Sequence, residues 1–213
     1  MGWTRYRSPF MWALCANRNT LLGANMEDLE EDIKIRTSNE VAERMLGVIA
    51  AIGKVHFPAE NQKWIDENDI SKYLTPLESS FIQDEEPEEQ DLVNFSWKAE
   101  ALVSLIWCLK GINEMPGFNE QFDAFSNNLV VMAIRNTKEF LSSSTLRTEE
   151  ELDKMESYLY HQQWRVRDRE LGFNNDEPDE NDPRIDDLHP SVVYERRYGM
   201  SWVAGFGESW DDV

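Results

Sequence analysis

The sequence predicts an all-α protein: a single-domain bundle of about seven to eight helices around a buried central helix, residues 91–110. Three observations predict it. Thr37, Thr75 and Thr148 each stand three residues before a glutamate (Glu40, Glu78, Glu151), the spacing at which two side chains satisfy each other's free backbone N–H groups at a helix start. Apolar residues after those starts recur three and four apart, the helical period. Residues 91–110 are apolar on nearly every side, and alternating strand patterns are scarce.

Residues 1–26 read as a basic, aromatic arm, with Arg5, Arg7 and Arg18 and no acid, preceding one helical domain over 27–213. The run Phe10–Ala16 after Arg5 and Arg7 has the outline of a secretion signal. Arg18 follows too closely and the cleavage pattern is weak, so a docked amphipathic arm or a helix used in homodimer contacts is expected instead.

The first strong helix is 38–54, carrying Val41, Met45, Val48, Ile49 and Ile52. Pro58 belongs in the first turn of a second, which fades near Asn68. Thr75, Pro76 and Glu78 begin a short third helix through Ile82. The acidic stretch 84–90 reads as a loop or as the negative lead-in to the next helix. Over 91–110, Leu92, Phe95, Ala99, Leu102, Ile106 and Leu109 fill one face, and Gly111 is expected to stop the helix in a left-handed conformation. Residues 113–126 are ambiguous. Residues 129–141 continue as one helix to the serines at 142–144. Leu152, Met155, Leu159 and Val166 give the inward stripe of a helix over 149–171, ended by Gly172. Residues 174–188 read as a mobile surface loop, and a last helix runs from about Ser191 to Phe206.

Composition bounds function. The net charge of −20 repels nucleic-acid phosphates and anionic membranes and attracts a basic protein partner. Two cysteines, Cys15 and Cys108, make no disulfide framework, which points to a reducing, cytoplasmic compartment. No stretch is long and apolar enough to span a bilayer. Phosphate-binding, dinucleotide, zinc-protease and nucleophile-elbow motifs are absent, so no cofactor is expected, and His56, His161 and His189 are too dispersed for a metal set.

Two polar groups stand out. Tyr158, His161, Arg165 and Asp168 fall on one line of the 149–171 helix: an anion pocket with an acid/base histidine, or a polar face carrying an Arg165–Asp168 pair. Glu195, Arg196 and Arg197 interrupt the apolar last helix. Turned inward they must be paired, either in a helix–helix link or around a phosphate or carboxylate.

Residues 74–82 (Leu-Thr-Pro-Leu-Glu-Ser-Ser-Phe-Ile), 90–109, 146–168, 192–202 (Val-Val-Tyr-Glu-Arg-Arg-Tyr-Gly-Met-Ser-Trp) and the closing Trp-Asp-Asp-Val together resemble a bacterial family of uncharacterised proteins, domain of unknown function 4272, over roughly 18–213. The resemblance implies no established activity. Trp164, Arg167, Asp168, Glu195 and Arg196 match the family pattern, and a shared site, if there is one, is expected among them. His161 stands where the family usually has Arg, and Gln163 and Arg197 where it has His, which weighs against a histidine mechanism. The expectation is a non-enzymatic acidic protein working through protein contacts, of the kind that neutralises a basic toxin. The alternative is an enzyme or small-anion binder whose Arg/Glu site lies between helix 149–171 and the last helix.

Overall fold

Each of the three threonine–glutamate pairs starts a helix in the computed structural model, which describes residues 34–173, 175 and 178–213. The arm expected at 1–26 lies outside the described residues. At the first start, Glu40 Oε2 accepts the Thr37 amide at 2.7 Å while Thr37 Oγ1 accepts the Glu40 amide at 3.3 Å. The helices are α1 (Ser38–His56), α2 (Pro58–Asn68), α3 (Pro76–Gln83), α4 (Glu89–Cys108), α5 (Asn128–Arg135), α6 (Thr137–Ser143), α7 (Glu149–Glu170) and α8 (Pro190–Val203). No strand occurs among the described residues. Residues Ile35–Val213 form one compact unit.

The packing order is α1 on α4, α4 on α8 and α8 on α7, with α2, α3 and α6 against α1. Small residues bring α4 and α8 together. A Cβ added to Gly199 would stand 2.5 Å from the Ala101 carbonyl, and Ser104 Oγ donates to the Arg196 carbonyl at 2.6 Å. The buried part of α4 is Glu100–Cys108, continued by Leu109; its first turns are half-exposed, with Val93 43% exposed. The central position is shared with α1, buried from Val41 to Gly53 except at Glu43.

Four expectations are corrected. Gly111 is not the left-handed residue after α4; Lys110 is, at φ 63. The closing bonds run from the Lys110 amide to the Trp107 carbonyl at 3.0 Å and from the Gly111 amide to the Ile106 carbonyl at 2.8 Å. Gly111 serves packing instead, since a Cβ there would stand 2.8 Å from both Ile106 and Leu129. Residues 129–141 make two helices rather than one. Thr137 Oγ1 takes the Ala133 carbonyl at 2.7 Å and Trp64 Nε1 takes the Ile134 carbonyl at 3.0 Å, so the backbone ladder breaks at Asn136. The last helix ends at Val203, where Gly205 turns the chain at φ 98. The later half of the 174–188 loop is tied down. Arg169 donates to the Ile185 carbonyl at 2.6 Å and the Leu188 carbonyl at 3.1 Å, and Leu188 is buried.

Candidate functional site

The residues singled out in the sequence sit on α7 and α8, the last two helices of the stack, and point in different directions. Arg196 goes inward. Its side chain is wholly buried, its Nε donates to Glu100 Oε2 at 2.8 Å, and its Nη1 donates to the carbonyls of Pro116 at 2.5 Å and Gly117 at 3.0 Å. Glu100 also accepts the Phe122 amide at 2.8 Å. This knot fixes the 116–122 segment to α4 and α8. A buried pair of this kind is costly to break from one side, by about 3–5 kcal/mol; Arg196 Nη2 is buried beside it without a hydrogen-bond partner among the described residues. Tyr158 lies beside the knot, its ring 6.1 Å from that of Phe118, with burial raising its hydroxyl pKa.

Glu195 turns toward α4, where Lys98 Nζ meets its two oxygens at 3.1 and 3.4 Å. His161 and Arg165 turn toward the 179–183 segment. Asp182 accepts from Gln162 Nε2 at 2.6 Å and from the Asp179 amide at 2.8 Å, and its Oδ2 lies 2.9 Å from His161 Nε2. Arg165 Nη1 donates to Gln162 Oε1 at 2.8 Å and to the Pro183 carbonyl at 2.9 Å. Asp168 is occupied elsewhere, by the Asn175 amide at 2.6 Å. These bonds staple the loop to α7. The group His161, Asp179 and Asp182 brings three donor atoms within 4.8 Å of one another, enough to reach a divalent cation. The oxygens of Asp182 already serve the staple, and the wide sequence spacing of the histidines concealed the grouping.

Trp164, Arg167 and Arg197 are the members that meet at an open surface. A cleft of about 480 Å³ between α7 and α8 is lined by them together with Tyr160, Gln163, Glu170 and Tyr194. Trp164 is 55% exposed, its ring edge-on to Tyr160 at 6.3 Å. Arg197 lies over the Tyr160 ring, 4.8 Å from its centre, and donates to Gln163 Oε1. Arg167 reaches Glu170 at 3.3 Å, and Tyr194 donates to the same carboxylate at 2.8 Å.

Beneath Arg197 lies Glu156, whose Oε1 is 3.7 Å from Arg197 Nε and accepts Ser201 Oγ at 3.0 Å. Burial pushes this carboxyl up to about 7, and the nearby Arg197 charge only partly opposes the rise. Sequence reasoning missed Glu156 and Tyr160, and marked Gln163 only as a departure from the family pattern. The available signal was periodic: residues 156, 160, 163, 164 and 167 recur three and four apart, a second face of α7 beside its apolar stripe.

The family model described as "Domain of unknown function (DUF4272)" matches residues 25–213, and the chain belongs to that family. No curated protein and no solved structure matches the chain.

Proposed function

We propose that this DUF4272 member is a non-enzymatic protein-contact module whose partner-facing surface is the α7–α8 cleft. The observation that carries the reading is Trp164, more than half exposed at the rim of a cleft lined by tyrosines and arginines. Trp, Tyr and Arg dominate binding energy at protein interfaces, and an exposed indole gains most when a partner removes it from water. The rest of the polar constellation supports the same reading. Arg196, Glu195 and Arg165 hold neighbouring segments together, so they are not available to a substrate. Among the described residues no helix is long and apolar enough to cross a membrane.

The net charge of −20 favours a basic partner through faster encounter, and neutralising a basic toxin in the bacterial cytoplasm is one specific form of that role. The test uses the full chain and its Trp164→Ala variant as matched baits. A partner recovered by the full chain and identified is then titrated against both proteins. We expect at least about a tenfold loss with the variant, with unchanged thermal unfolding. Equal affinity for the two proteins overturns the reading.

A second reading has one observation in its favour: Arg167 and Arg197 border the same cleft, as a carboxylate or phosphate binder requires. A thermal-shift series with phosphate and short dicarboxylates decides it, since a ligand selective for the folded state raises the unfolding temperature.

A further inference from the structure

A second cleft has chemistry of its own. It lies between α3 and α4, where the C-terminal segment crosses α8, and measures about 360 Å³. Its floor is aromatic. The rings of Phe81 and Phe95 stack with centres 4.0 Å apart, and Trp210 closes the base. Leu77, 61% exposed, stands at one edge. The rim is acidic, with Asp84, Asp91 and Asp211 around the opening. Glu85, Glu86 and Glu88 on the exposed segment joining α3 to α4, and Glu89 at the start of α4, continue that charge. Among the described residues none of these seven acids forms an ion pair. The single lysine in the lining, Lys98, is already engaged by Glu195 at 3.1 Å and by the Tyr198 ring at 3.9 Å. The field inside is negative enough to register on Tyr198, whose hydroxyl is raised first by burial and then by the charges of Asp211 and Glu195.

Lys54 Nζ donates to the Asp84 carbonyl at 2.9 Å, but the carboxylates of the run form no ion pair among the described residues, and such a run set against an apolar floor is costly in a chain already carrying −20, because the charges repel one another. A guest that brings both positive charge and methylene surface relieves both at once. Lysine and arginine do this: their stems lie along apolar side chains while their heads reach carboxylates, and a guanidinium or ammonium gains further over a phenyl face. We propose that the α3–α4 cleft is the docking site for a basic, amphipathic segment of a partner protein, its arginine or lysine heads held by Asp84, Asp91 and Asp211 and its apolar side chains on Leu77 and Phe95. The inference rests on the protein-contact reading and adds a second surface to it, one that receives a basic segment of the partner. A third cleft lies between them, sharing Gln163, Tyr194 and Arg197 with the first and Tyr198 with the second.

The probe is a short synthetic helical peptide of lysine, arginine and leucine, with its leucines three and four apart, titrated by fluorescence anisotropy in low and moderate salt. Three forms of the full chain are compared. The first carries Asp84→Asn, Asp91→Asn and Asp211→Asn. The second removes the same charge from the exposed face of α2, with Glu60→Gln, Asp66→Asn and Glu67→Gln. The third is Leu77→Ser. The cleft triple variant and Leu77→Ser are each expected to weaken the peptide about tenfold or more, and the α2 variant less than about threefold. Equal losses in the two triple variants overturn the proposal, because attraction would then be to bulk charge alone. An unchanged affinity in Leu77→Ser overturns it also, because the apolar floor would not be used. The peptide titration reads the α3–α4 cleft alone, while the Trp164→Ala comparison against an identified partner reads the α7–α8 cleft, so failure of either reading is seen separately.

Discussion

Glu156 shows how much a single residue's environment changes its chemistry. In the sequence it is one acid among 41; in the fold it is held against Ser201 and below Arg197 with its carboxyl raised to about 7. Between about pH 4.5 and 7 the folded chain keeps a proton that the unfolded chain has released. Stability therefore falls as pH rises through that window and levels off above it. Glu156→Gln preserves shape and the serine bond while removing the titration. Urea unfolding across pH 4–8 should show the variant gaining on the parent by roughly 1–3 kcal/mol as pH rises. Parallel profiles would mean the carboxyl is not raised. At the same scale, the polar residues on the family pattern divide by direction. Arg196 was legible in the sequence as a charge that must be paired if buried, and Glu100, which pairs it, was not, because it lies 96 residues away on another helix.

The helices themselves were read well where their signals are local. A capping box needs only four consecutive residues, and all three predicted boxes close as expected. The break at Asn136 was invisible because its cause is distant: Trp64, on α2, captures the Ile134 carbonyl from 70 residues away. The crossing of α4 and α8 is another product of distant residues. Gly199 reads as a weak point in a helix, yet it is what lets the Ala101 carbonyl approach. Gly199→Ala should force the helices apart and cost roughly 1–3 kcal/mol in chemical denaturation. A loss below about 0.5 kcal/mol would show that the crossing can shift to admit a methyl group.

Over the whole molecule, charge and burial are separated. The acids lie mostly outermost, and those that are buried, such as Glu78 and Glu100, are each paired with an arginine. A net charge of −20 makes the folded chain repel itself, a term that salt screens. Raising sodium chloride from about 0.02 to 0.5 M should lift the thermal midpoint by roughly 2–4 °C, followed by circular dichroism. A falling midpoint would mean that attractive pairs outweigh repulsion. The candidate site belongs to this scale too. Of the nine residues marked in the sequence, Trp164, Arg167 and Arg197 share the open α7–α8 cleft, while Tyr158, His161, Arg165, Asp168, Glu195 and Arg196 serve other contacts.

The sequence by itself determined the helical class, the capped helix starts, the buried stretch of α4 and the acidic exterior, because propensity, capping and periodicity act within a few residues. Only the tertiary structure decided that α1 shares the centre, that the 129–141 stretch breaks, and which arginines face outward. Those outcomes depend on side chains that meet from distant parts of the chain, and spacing along the chain carries no record of which of them will touch.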